Sequence, residues 1–222
     1  MAMNFQHFQN IKTAPTQAFI GITGGIGSGK STIAEIIRAN AYTVLSADDI
    51  GRELTNSDAA VKASINAEFG EMYHADGTLN RAKMSELVFG ASPAHAEALV
   101  RLNAIVHPAV WKAVAERVQS CFAKGETLVF NETALLFETG ADVVYDAVIV
   151  VDAQEEIRIQ RLAEGRNIPP EEARKRILAQ MPAEEKKARA NFVINNDGSR
   201  NDAEQATMSC LDDIRQKFTA KN

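Results

Sequence analysis

The feature that most narrows the folds open to this chain is a short apolar run that stops abruptly at a cluster of glycines. Ala18-Phe19-Ile20-Gly21-Ile22-Thr23 leads straight into Gly24-Gly25-Ile26-Gly27-Ser28-Gly29-Lys30-Ser31, and Ile33, Ile36 and Ile37 then recur at helical spacing. An unbroken apolar run reads as a parallel strand buried on both faces. The order is therefore strand, glycine loop, helix, with the first helix expected over Ser31–Ala39. Gly24-x-x-x-x-Gly29-Lys30-Ser31 fits the Walker A, or P-loop, pattern at every fixed position. Glycines let the backbone wrap a phosphate with successive N–H groups turned inward. The helix that follows offers its first N–H groups and the positive end of its dipole to the same anion. The pattern implies ATP held by residues 24–32, with Lys30 on the β- and γ-phosphates, the Ser31 hydroxyl on Mg²⁺ and Thr32 on the α-phosphate. A dinucleotide loop is excluded, because Gly25-x-Gly27 would need its third glycine where Lys30 stands.

The 222 residues, 45% hydrophobic and 24% charged, suit one α/β domain with room for an insertion. Further strands are expected at Tyr42–Leu45, Thr127–Phe130, Ala147–Val151 and Phe192–Ile194. Between Asp49 and about Gly125 no strand pattern stands out. Ser92-Pro93 opens a helix there, with Leu99, Leu102, Ile105 and Val106 on one face. Pro108 is expected to break it, and Val110, Val114, Val118 and Phe122 start a new stripe. Glu155–Leu162 reads as helix, Pro169-Pro170 interrupts a basic-biased stretch, and Thr207, Leu211, Ile214 and Phe218 mark the last helix. Strands alternating with helices predict a doubly wound five-stranded parallel sheet of the P-loop NTPase, nucleotide-kinase-like kind. The expected organisation is a flexible lead-in over 1–17 and a single domain over 18–222, with a helical insertion at about 53–125 and a lid at about 163–190.

A net charge of −5 argues against nucleic acid or an acidic membrane surface as the main partner. Cys121 and Cys210 form no CxxC pattern and read as free thiols of a reducing compartment. No segment approaches the ~18 to 20 apolar residues of a membrane span, and the stretch before Ala18 has no secretory apolar core. A cytoplasmic protein with no obligatory protein partner is expected. His7, His74 and His95 lack metal-ligand spacing, so zinc is not indicated.

Asp48 falls just past the second strand, at the sheet edge where open α/β folds bind ligands. A carboxylate there can take a proton from a phosphate acceptor and help position Mg²⁺; alternatively, Asp48 or Asp49 simply caps the helix that begins near Ile50. Asp48-Asp49-Ile50-Gly51 matches one element of GTP switches, but the Asn-Lys pair of their guanine motif occurs nowhere in the chain. Glu132, after the third strand, can act through a Mg²⁺-bound water, cap a helix or pair with a lid arginine. Trp111 and the apolar stripes read as core.

Several segments, in order, resemble the dephospho-CoA kinases. They are Thr23–Thr32; Ser46-Ala47-Asp48 with Arg52-Glu53; Asn103-Ala104-Ile105-Val106-His107-Pro108; Leu135-Leu136-Phe137-Glu138; Gln160-Arg161-Leu162; Ile177-Leu178-Ala179-Gln180; and Ala190–Asn196. The likeness runs from about Phe19 to the C-terminus. It implies ATP-dependent phosphorylation of the 3′-hydroxyl of dephospho-CoA, giving CoA and ADP. It also implies that Asp48 is the base, that the insertion binds the acceptor and that the segment after Arg161 closes as a lid. Arg161 becomes the candidate cation at the transferring group, and His107 a candidate acceptor contact. Arg52 either binds the acceptor or pairs with nearby acids. Three positions and one spacing depart from the family pattern: Ser46 replaces an acid, Ala134 a proline and Asn191 an aspartate, while Arg161 and Arg166 are one residue further apart than expected. Judged on the loop alone, a nucleoside monophosphate or sugar kinase and a non-enzymatic nucleotide switch remain the alternatives.

Overall fold

The structure is a computed structural model that describes residues 5–12, 14–90 and 92–218. Its strands are β1 (Ala18–Gly24), β2 (Thr43–Ser46), β3 (Leu128–Glu132), β4 (Ala147–Asp152) and β5 (Phe192–Asn195). They form one parallel sheet in the order β2-β3-β1-β4-β5. The helices are α1 (Lys30–Ala39), α2 (Ala47–Ser57), α3 (Ala59–Phe69), α4 (Arg81–Val88), α5 (Pro93–Ala123), α6 (Glu155–Arg166), α7 (Pro170–Leu178), α8 (Ala183–Arg189) and α9 (Arg200–Phe218). This is the doubly wound sheet that the alternation of apolar runs predicts, each strand lying within two residues of its expected bounds.

The core explains why those runs are apolar throughout. Ala18, Ile20 and Ile22 of β1, with Phe130 of β3 and Ile149 of β4, face α1 and α9. The alternate residues Phe19 and Val129 face the C-terminal half of α5, while Val148 and Val150 pack against Leu136 and Phe137. With both faces covered, each fully buried Ile or Phe contributes about 1.5–3 kcal/mol. A separate small cluster (Val61, Ile65, Met72, Met84, Val88 and Ala98) holds α3, α4 and the start of α5 together as the helical insertion.

Two expectations are corrected. Pro108 does not break the helix: α5 runs 31 residues through it. Leu99, Leu102 and Ile105 before it pack into the insertion, Val110, Trp111 and Val114 after it pack onto the sheet, and Val106 touches both clusters. A proline inside a helix costs about 3 kcal/mol, less than the burial of two apolar stripes returns at about 1.5–3 kcal/mol per side chain. The stretch expected as a flexible lead-in is also packed, in its described part; residues 1–4 and 13 lie outside the described residues. Phe5 and Phe8 meet Trp111 edge-on at 5.7 and 5.9 Å, and Phe8 stacks on Phe19 at 5.8 Å. Ile11 is buried beside them, and Gln17 donates to the carbonyl of Phe122 at 2.9 Å. Apolar residues at every third position, Phe5, Phe8 and Ile11, supply the face that docks.

Candidate active site

The phosphate loop leaves β1 at Gly24 and becomes α1 at Lys30. Gly29 sits at φ +88°, and a Cβ there would lie 2.1 Å from Asn196 Nδ2. Glycine alone fits on both counts. No side chain caps α1, so its first-turn N–H groups, which have no partner within the helix, are available to an anion. The loop's outer side is gripped by other elements. Arg158 Nε donates to the Ile26 carbonyl at 2.9 Å, and Asn196 Nδ2 to the Ser28 carbonyl at 2.8 Å. Arg161 Nη1 reaches the same Ser28 carbonyl over a longer 3.4 Å, and the Ile26 N–H donates to Gln180 Oε1 at 2.8 Å. Arg158, buried at 6% exposure, was not among the expected site residues. Its spacing from Arg161 carried the signal, since residues three apart share a helix face.

Lys30 Nζ donates to the Gly24 carbonyl at 3.0 Å. Burial holds the Lys30 ammonium below the ordinary lysine value; the carboxylates of Glu132 and Asp48 oppose this, and the Lys186 and Arg166 charges add to it. Two acids and two further cations thus act on the loop lysine. Ser31 Oγ donates to Glu132 Oε1 at 2.8 Å. Glu132 ends β3, in register with Ile22 of β1 and Ser46 of β2, at the carboxyl edge of the sheet. Among the described residues its side-chain hydrogen-bond partner is thus the Ser31 hydroxyl in the first turn of α1, not a lid arginine.

Asp48 lies in the first turn of α2, but it is not the cap. Ser46 caps that helix, its hydroxyl accepting from the Asp49 N–H at 3.1 Å. The serine that replaces an acid of the family pattern therefore has a structural task, and Asp48 is exposed. Asn191, the other acid replacement, keeps an acceptor: its Oδ1 takes the Val148 N–H at 2.8 Å.

Asp48, Arg52 and His107 all line a cleft of about 720 Å³ between the insertion and the sheet edge, a size typical of small-molecule sites. Arg52 forms an ion pair with Asp49, but both side chains are more than half exposed, and such a pair holds the guanidinium only weakly. Burial pulls the His107 imidazole below its usual value, so it is neutral at pH 7. Met84, Leu102 and Val106 supply apolar wall, and Trp111, a core residue as expected, also borders the cleft. Past α6, the basic stretch divides. Ala173 of α7 packs with Ile159 and Leu162 of α6 and with Ile168, whereas Met181 and Ala190 flank α8 and pack beside Val148 and Val150 of β4. Arg166 is exposed at the end of α6. Among the described residues, no helix is long and apolar enough to cross a membrane.

A family model described as dephospho-CoA kinase matches residues 18–202. The dephospho-CoA kinase of Syntrophotalea carbinolica is 40% identical over 181 residues, covering 81% of this chain and 84% of that protein. That of Thermobifida fusca is 36% identical over 205 residues, covering 91% and 98%. Among solved structures, TT1252 from Thermus thermophilus has a TM-score of 0.75 at 35% identity, covering 89% of this chain and 98% of its own. The dephospho-CoA kinase from Campylobacter jejuni, at 24% identity and a TM-score of 0.61 over 90% and 98% of the two chains, shares the fold. The matched region holds the phosphate loop, the whole cleft and the three arginines of α6, and the chain belongs to the dephospho-CoA kinase family.

Proposed function

We propose that the protein transfers the terminal phosphoryl group of ATP to the 3′-hydroxyl of the dephospho-CoA ribose, giving CoA and ADP, the last step of coenzyme A synthesis, and that it does so in the cytoplasm. One observation carries the reading: Asp48 belongs to both halves of the site, lining the cleft while its charge acts on Lys30 of the phosphate loop. A base so placed serves a reaction between something in the cleft and something on the loop.

Phosphoryl transfer asks for positioning and charge neutralisation more than covalent chemistry. The loop amides and Lys30 hold the triphosphate. Asp48 accepts the proton of the ribose hydroxyl as its oxygen bonds to the γ-phosphorus and the bond to the ADP oxygen breaks. Arg161, on the loop's flank, supplies a cation to the transferring group. Arg52 receives anionic parts of the acceptor, and neutral His107 offers it a hydrogen bond. Mg²⁺ fits the residues present: the Ser31 hydroxyl and Glu132 carboxylate, 2.8 Å apart, are hard oxygen donors. Among the described residues no three His, Cys, Asp or Glu side chains gather as a metal cage, which suits an ion that takes its other ligands from phosphates and water. When bound, it neutralises charge on the phosphate oxygens. α7, packed with α6, Ile168 and Ile26 of the phosphate loop, is the part of the lid that covers the nucleotide and excludes water.

The test is an assay of purified protein with magnesium, ATP and a panel of acceptors. Dephospho-CoA is converted to a product carrying a 3′-phosphate, and AMP, CMP and gluconate are not. Phosphorylation of any of those three without dephospho-CoA turnover overturns the reading.

A further inference from the structure

The stretch from Gln180 to Ala190 carries side chains for which the reaction above has no use. Gln180 Oε1 accepts the Ile26 N–H at 2.8 Å, fixing the outer lip of the phosphate loop. Just beyond the Met181-Pro182 turn, Lys186 of α8 is 1% exposed, and its Nζ lies 2.6 Å from Glu138 Oε1. Glu138 sits between Leu135 and Thr139, both of which line the acceptor cleft. One short segment therefore touches the donor loop at one end and, through Glu138, the turn that carries two residues of the acceptor wall at the other. The segment is itself anchored. Met181 and Ala190 pack on Leu136 and Phe137, Lys187 pairs with Asp152 at 3.1 Å, and Arg189 pairs with Asp142 at 2.8 Å while lying over the Phe137 ring at 4.5 Å. The Lys186 ammonium, buried against the Glu138 carboxylate, resists separation, because parting them strands the lysine charge away from water.

We propose that Gln180 and Lys186 are positioning residues that, through Ile26 and Glu138, lock the phosphate loop and the acceptor wall into one register, so that donor phosphorus and acceptor oxygen meet in line. Each acts through another residue, Gln180 through the Ile26 amide and Lys186 through Glu138, and the Lys186 charge also acts on Lys30. Their influence is on geometry, where a displacement of about 1 Å costs on the order of 10²-fold in rate. The rate consequence rests on the kinase reading; the clasp itself does not.

The experiment compares Gln180→Ala, Lys186→Met, their combination, and Lys186→Met with Glu138→Gln, which removes both charges and so leaves none buried alone. Each variant is melted to establish folding, assayed at saturating substrates, and followed by hydrogen exchange at the Ile26 amide. The expected kcat loss is about 10- to 100-fold in every variant, with both KM values within about threefold of the parent. The Gln180→Ala, Lys186→Met combination loses no more than about threefold beyond either single change, since one clasp breaks once. The Ile26 amide exchanges about three- to tenfold faster in Gln180→Ala, as expected when its hydrogen-bond acceptor is removed. Folded variants with parental kcat, losses confined to KM, or losses that multiply overturn the proposal. If the parent fails to phosphorylate dephospho-CoA, the functional reading falls, while unchanged exchange at Ile26 would sink the clasp on its own.

Discussion

The phosphate loop and the acceptor cleft hold their ligands by opposite means. The loop is main chain from one contiguous stretch, Gly24 to Ser31, pressed so closely on Arg158 and Asn196 that several positions have no space for a side chain. The cleft is side chain, assembled from Asp48 and Arg52 on α2, Met84 on α4, His107 on α5 and Thr139 after β3. A site made of backbone has to be spelled in glycines at fixed spacing, since only glycine admits the angles and the close approach. A site made of side chains from distant elements leaves no local pattern. The first tolerates almost no substitution; the second can be adjusted wall by wall.

Asp48, shared by both regions, gives the largest effect. Asp48→Asn lowers kcat by about 10²- to 10⁴-fold with MgATP affinity near that of the parent by calorimetry; an unchanged rate would remove this carboxylate from the chemistry. Next comes Gly29→Ala on the loop side. Left-handed backbone at a non-glycine residue costs about 1–3 kcal/mol, so MgATP binds roughly 10- to 100-fold more weakly, and equilibrium titration with the acceptor alone shows no change. Leu102→Ala on the cleft side reverses the pattern, raising KM for dephospho-CoA about 10-fold and leaving KM for ATP alone. If both substitutions weaken both substrates equally, the separation of backbone and side-chain sites is wrong.

The smallest effect is a pH dependence of the cleft. Burial lowers the His107 value in the folded state relative to the unfolded chain. Below the unfolded value of about 6.5, the unfolded chain binds the proton first. His107 thus contributes stability that is fully present above that pH and is lost as pH falls through the lowered folded value. Thermal melts between pH 7.5 and 5.5 should show a slightly larger drop in the parent than in His107→Gln, and a drop of equal size in both refutes the assignment.

What could be read from the sequence follows the same division. Strands buried on both faces announce themselves as apolar runs, and the loop as a glycine pattern, so sheet and donor site were legible together. Pro108 misleads because a local rule was set against burial on two sides of it, and only the fold reveals both clusters. Lys186 stands in Glu184-Glu185-Lys186-Lys187, which reads as a solvated face; its burial depends on Glu138, brought near by packing. Gln180 was visible as part of a segment that resembles the family, yet nothing local names the Ile26 amide as its partner. Asp48 was marked by its place just past the second strand, with the family resemblance deciding between base and cap; the resemblance brought in Arg52 and His107, and the cleft gathers all three.

The chain has a single tryptophan, Trp111, and it lines the cleft with only 6% of its surface exposed, backed by Phe5 and Phe8. Anything that fills the cleft displaces water from beside that one indole. Its ultraviolet emission is consequently a built-in optical gauge of acceptor occupancy, and the amino-terminal phenylalanines that steady the ring set its baseline.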